Sequence, residues 1–140
     1  MSVAGRSDLR HLTPDSIRAP FARYSHGVEV APGTRLLFCS GQLGIAKDES
    51  VPEDVEAQTL LALQNSEAIL KEAGMDRRDV IRLNSYVTGR EHLAGYMKAR
   101  DAFFAEVDPP PASTLMIVSG FAREIFKVEI EIVAGKEDVR

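Results

Sequence analysis

A chain of 140 residues, 44% hydrophobic and with a net charge of −4, is sized for one domain with a real core. The acidic balance, with no block of like charge, argues against a phosphate backbone and hence against nucleic acid as the main partner. The single cysteine, Cys39, excludes a disulfide framework and a cysteine-based zinc site; no apolar run approaches a signal peptide or a membrane span, so a cytoplasmic protein without a membrane partner is expected.

Residues 1–22 are polar, are punctuated by Pro14 and Pro20, and read as an N-terminal arm. Tyr24–Val30 alternates weakly and ends at the turn signal Ala31-Pro32-Gly33-Thr34, so it predicts a hairpin with Leu36–Leu43. In that second strand Leu37, Cys39 and Leu43 share one face, while Leu36, Phe38, Ser40 and Gln42 share the other. Gly41 inside a strand predicts a bulge or a close approach by another backbone or a ligand.

Ser50 with Glu53 three residues on fits a capping box, and Asp54 complements the helix dipole. Val55, Ala62, Leu63, Ile69 and Leu70 then recur at helical spacing as far as Ala73, and Gly74 is the stop. Val80–Thr88 reads as a strand, with Ile81, Leu83 and Val87 opposed to Arg82, Asn84, Tyr86 and Thr88. A second helix is predicted over Glu91–Glu106, and Arg100 falls within its apolar stripe. After the proline run 109–111, Ala112–Val118 reads as a buried strand. Ile125–Ala134 closes the pattern, with Phe126, Val128, Ile130 and Ile132 on one face and Lys127, Glu129 and Glu131 on the other.

The order β-β-α-β-α-β-β predicts an α+β sandwich of two layers: a mixed sheet with both helices on one face. One domain spans 1–140, with the arm at 1–22, the core at 23–135 and a tail at 136–140. The sheet face away from the helices mixes Ser40, Gln42, Arg82, Asn84, Tyr86, Glu129 and Glu131 with apolar residues. Such a face predicts self-association, with polar side chains in clefts between copies.

Several segments in this order resemble one family: Tyr24-Ser25-His26-Gly27-Val28, Ser40-Gly41-Gln42, the helix with Gln58 and Asn65, Ala73-Gly74, Asp79-Val80, Phe103-Phe104, Pro111-Ala112-Ser113-Thr114 and Val128-Glu129-Ile130-Glu131. The set is similar to the Rid family, also known by its member YjgF, whose founding activity is deamination of reactive enamines and imines. The resemblance spans about Tyr24 to Gly135. It implies a chorismate-mutase-like fold and a homotrimer with ligand clefts between subunits. Tyr24, Ser40 and Glu129 match the family's tyrosine, serine and glutamate of the cleft. The family's active members follow the Pro-Ala step with an arginine that grips the substrate carboxylate; Ala112 stands in its place here, and Met97 aligns with a cleft asparagine. The sequence thus resembles the branch that lacks this arginine.

What the resemblance implies is hydrolysis without a cofactor or metal: water adds to an imine and ammonia leaves. Glu129 is the residue to deprotonate that water; its alternative is an ion pair with Lys127, Arg82 or another subunit's arginine. Ser40 donates to substrate or is ordinary strand-end chemistry, and Tyr24 closes the pocket or is a half-buried hairpin tyrosine. Gly41, Thr114 and His26 complete the proposed wall, with Glu131 read as structural. Arg100 either replaces the missing charge or snorkels or pairs with an acid. Cys39 reads as a core thiol. Three functions compete: a small-molecule hydrolase of an imine, enamine or related carbonyl compound that is inefficient on 2-imino acids; a ligand-binding or regulatory trimer without chemistry; and a ribonuclease or translation inhibitor, disfavoured by the acidic balance.

Overall fold

A computed structural model describes residues 8–137. Alternating side chains build strands β1 (Leu9–Leu12), β2 (Gly27–Val30), β3 (Thr34–Phe38), β4 (Gln42–Leu43), β5 (Val80–Val87), β6 (Ala112–Ile117) and β7 (Val128–Glu137). Helix α1 (Val55–Glu72) lies between β4 and β5, and α2 (Leu93–Phe103) between β5 and β6. The predicted α+β architecture stands: one mixed sheet with two helices packed on one face.

β7 is the hub of the five-stranded sheet. It runs antiparallel to β5 on one side and to β3 and β4 on the other, and β6 adds to β5 in parallel. Its inward residues Val128, Ile130, Ile132 and Ala134 are buried, as the alternation requires. They meet Leu63 and Leu70 of α1 and Tyr96 of α2 in one cluster. Each large aliphatic side chain buried there contributes about 1.5–3 kcal/mol. The Tyr96 hydroxyl pairs with Ser85 Oγ, so the polar atom of the largest fully buried side chain is satisfied.

Several local expectations are corrected. β2 does not pair with β3; it pairs antiparallel with β1, in a separate two-stranded sheet, and β3 crosses to β7. Residues 9–12 of the expected arm are therefore strand, with Leu9 buried; residues 1–7 lie outside the described residues. At the other end β7 continues through Lys136 and Glu137, where a tail was expected; residues 138–140 are outside the described ones. The α1 cap is Asp54, whose carboxylate accepts from Ala57 N at 2.7 Å. Ser50 is engaged instead by Asp48 Oδ1, through both its N–H and its hydroxyl.

Gly74 does end α1: it takes φ +73°, and Met75 N returns to Leu70 O at 2.8 Å. α2 is shorter than predicted because a 3₁₀ turn, Arg90–His92, precedes it and the helix stops at Phe103. Arg23 reaches past that end, donating to Phe104 O at 2.8 Å and Val107 O at 2.5 Å.

Candidate functional site

The candidate residues of the sheet fall into two groups, one on the β4–β7 side and one at the β6 edge. The first surrounds Glu129 on β7. Between Phe38↔Val133 and Gln42↔Ile130 the register slips by one, so Ser40 and Gly41 together oppose Glu131. This is a bulge, as Gly41 predicted. It also corrects the phase of Leu43, which stands across from Glu129 and so leaves the face of Leu37 and Cys39. The Glu129 carboxyl group lies against Gly41: a Cβ there would stand 2.8 Å from Glu129 Cδ. Gly41 is glycine because this carboxyl group occupies the space of a side chain. Ser40 beside it is exposed.

Glu129 has no hydrogen bond or ion pair among the described residues. Lys127 Nζ donates to Glu53 O, and Arg82 Nη2 donates to Thr114 Oγ1 at 2.7 Å, so neither expected partner reaches it within the chain. Glu131 is different. It accepts from Tyr86 OH at 2.6 Å and from Asn84 Nδ2 at 3.4 Å, which fits its reading as structural. That hydrogen bond, with burial and the charges of Glu131 and Glu129, raises the Tyr86 pKa above its ordinary value.

Two amides of α1 hold this edge in place. Gln58 is fully buried; its Nε2 donates to Pro52 O at 2.8 Å and Ile125 O at 2.9 Å, and its Oε1 accepts from Lys127 N at 2.9 Å. It therefore fixes the entry to β7 two residues before Glu129. Asn65 Nδ2 donates to Ile45 O at 2.9 Å and Leu43 O at 3.3 Å, fixing the exit from β4. Both residues belong to the segments that carry the family resemblance, which assigns them no role. A buried amide on a helix that must satisfy backbone groups elsewhere is the signal for such positioning residues.

The second group lies at the β6 edge. Ser25 bridges to Ala112, its N–H donating to Pro111 O at 3.1 Å and its hydroxyl to Pro110 O at 2.6 Å. Tyr24 and His26 flank that bridge, their rings 6.3 Å apart and edge to face. The Tyr24 hydroxyl accepts from Phe21 N at 3.2 Å. His26 Nδ1 is buried with no hydrogen-bond partner among the described residues. Ala112 is buried and stands across from Arg82 of β5. Thr114 is on the same face, taking the Arg82 hydrogen bond.

Met97 and Arg100 belong to α2, in the helix layer. Met97 packs against the core cluster. The Arg100 side chain is buried, donates to Asp101 Oδ1 at 3.0 and 3.1 Å, and lies 5.6 Å from the Tyr96 ring. It pairs with an acid, and within one chain the sheet separates both residues from Glu129. Cys39 is buried and its thiol pKa is raised by that burial, as fits a core position.

Glu129 on β7 stands two strand spacings from β6, across β5, and four residues along the strands from Ala112, since Glu129 pairs with Tyr86 while Ala112 pairs with Arg82. At about 4.8 Å per spacing and about 3.3 Å per residue that is about 16 Å, too far for one small molecule to bridge. The same face exposes Phe38 (71%), Met116 (55%) and Leu36 (48%). Among the described residues no group of three or more His, Cys, Asp or Glu could hold a metal ion, and no helix is long and apolar enough to cross a membrane.

Comparison with known proteins places relatives beside this geometry. The family model described as endoribonuclease L-PSP matches residues 15–136. A RutC family protein of Aquifex aeolicus is 30% identical over 129 residues, covering 91% of this chain and 100% of its own. The 2-iminobutanoate/2-iminopropanoate deaminase of Escherichia coli is 28% identical over 125 residues, covering 88% of this chain and 94% of its own. Among solved structures, YyfB of Yersinia pestis, a Rid family protein of unknown function, gives a TM-score of 0.79 at 28% identity, over 91% of this chain and 98% of its own. Escherichia coli TdcF, solved with bound serine, gives 0.69 at 28% identity, over 84% of this chain and 91% of its own.

Proposed function

The chain belongs to the endoribonuclease L-PSP family, the Rid proteins, and from that premise we propose a cofactor-independent hydrolase of a small imine, enamine or related carbonyl compound. The observation that carries the reading is Glu129, a carboxylate on the outward sheet face, beside an exposed serine, with no protein partner among the described residues. It is available to take a proton from water as that water adds to the C=N carbon. The carboxyl group then returns the proton to nitrogen, which gives a carbinolamine; it next takes the carbinolamine hydroxyl proton and passes it to the same nitrogen as the C–N bond breaks, so ammonia leaves and a carbonyl remains. Ser40 supplies a hydroxyl donor to the developing oxygen.

The working form is a homotrimer. A site that uses both Glu129 and the Tyr24–Ala112 edge needs two copies, because about 16 Å separates them in one. The exposed Phe38, Leu36 and Met116 supply apolar area for that association. Ala112 offers no cation at its position. A 2-imino acid that must be gripped there is a poor substrate, because its carboxylate would be partly buried and unpaired. A ligand without a carboxylate, or one held from another position, fits.

The test is ammonia release from 2-iminopropanoate, 2-iminobutanoate and an uncharged imine. Glu129→Gln is expected to lower turnover of the best substrate about 10²- to 10⁴-fold, and Ala112→Arg to raise turnover of the imino acids. Robust wild-type turnover of 2-iminobutanoate would sink the weight placed on Ala112. No turnover by wild type or by Ala112→Arg would favour a binding or regulatory trimer. Ribonuclease action stays disfavoured, since this face carries Glu129 and Glu131 and the chain is acidic.

A further inference from the structure

We propose that Arg82 reads a carboxylate on the ligand of this face. The inference rests on the assignment of the face as the ligand site, and it chooses between the two ligand types left open there: an acid held from a position other than Ala112, rather than a ligand without a carboxylate. Arg82 stands across from Ala112 in the parallel β5–β6 pairing. Its Nη2 nonetheless bonds Thr114 Oγ1, two residues further along β6. The arm therefore crosses the strand gap diagonally and carries its guanidinium over β6. Ala112 makes this possible: a long side chain at that position would contend for the same space. Thr114 then fixes the guanidinium from below.

This cation is built in place but not neutralised. Among the described residues Thr114 is its one hydrogen-bond partner, and no carboxylate comes within ion-pairing distance. The nearest candidate by register is Glu131, across from Asn84; it is taken up by Asn84 and Tyr86. The other basic residue weighed for the role, Arg100, is buried and paired with Asp101 in the helix layer. A planar guanidinium with donors to spare, oriented by a threonine on a partly apolar face, is suited to a carboxylate. Tyr24 and His26 lie at the same β6 edge, beside Ala112. An acid held by Arg82 would thus sit on the β6 side of the face, where a second copy's Glu129 completes the cleft.

The experiment is calorimetric titration of the assembled protein with 2-oxobutanoate and with butanone, its uncharged counterpart. Wild type is expected to prefer the acid. Arg82→Met should weaken 2-oxobutanoate about ten- to a hundredfold, the usual loss for one charged hydrogen-bonding group, and leave butanone unchanged. Arg82→Lys keeps the charge without the fork and should fall between. Adding Ala112→Arg to Arg82→Met should restore binding of the acid, because both positions serve one patch. The proposal is overturned if wild type binds neither compound or both alike, or if Arg82→Met changes both equally. It is also overturned if Arg82→Met dissociates the assembly, which would make the guanidinium a partner of another copy's carboxylate. None of these readouts needs turnover. A protein that binds acids through Arg82 but releases no ammonia would sink the hydrolase and leave this assignment standing.

Discussion

Gly41→Ala separates stability from activity in a way the bulge makes quantitative. Gly41 does not use a positive φ, so alanine meets no backbone strain there. Its new Cβ would stand 2.8 Å from Glu129 Cδ and closer still to a carboxylate oxygen. Ordinary carbon contact needs about 3.5–4.0 Å, so the carboxyl group must retreat by about 1 Å. The side chain can do this by shifting its torsions, at a cost of about 0.5–1.5 kcal/mol. Reduced freedom of the unfolded chain returns about 0.4–1 kcal/mol. The net effect on the denaturant midpoint should be within about 1 kcal/mol. Activity should respond far more, because a misplacement of about 1 Å at a reacting group costs about a hundredfold. Ammonia release and urea unfolding on the same preparation check both halves. Wild-type turnover from Gly41→Ala, in a protein where Glu129→Gln is inactive, would refute the claim that Gly41 sets the position of this carboxylate.

Other perturbations test the supports of the face. Gln58→Ala strips three backbone partners in the core and should lower unfolding free energy by about 2–4 kcal/mol, read from urea titration; a loss below about 1 kcal/mol would mean water replaces the amide. Phe38→Glu puts a charge on the most exposed aromatic of the strand face and should convert a trimer to monomers by light scattering; a monomeric wild type at micromolar concentration would remove the basis for the shared cleft. Tyr86 is held protonated above its ordinary pKa, first by its hydrogen bond to Glu131. The stability it contributes is therefore complete below about pH 10 and is lost as pH rises through the raised value. Glu131→Gln should bring one tyrosine's alkaline absorbance change to lower pH; an unaltered titration would deny the pairing.

α1 was legible because Ala62, Leu63 and Leu70 declare a period of 3.6 and Gly74 supplies the one backbone conformation that ends it. β7 was legible because its two faces differ so sharply, from Ile130 to Glu131. Pairing was not. The turn at Ala31–Thr34 exists, with Thr34 N on Ala31 O, but it sends β3 to β7 rather than back along β2. Local turn chemistry fixes a change of direction, not the strand that waits at the end of it. The cap moved from Ser50 to Asp54 because Asp48, upstream, competed for the serine. The significance of Arg82 also lay beyond local reading. It depends on the parallel register with β6, joined to β5 only through α2.

The central place of β7 bears on how the protein is made. It emerges from the ribosome after every strand it pairs with. Until then β3 and β4 have no ladder, and β5 has only β6. The nascent chain must carry Leu63, Leu70 and Leu83, which β7 helps to bury in the finished fold, and an unpaired β5 edge through most of synthesis, the kind of exposure that recruits chaperones. Truncation or frameshift past Ile125 should therefore yield no partial domain, only a product cleared by proteolysis.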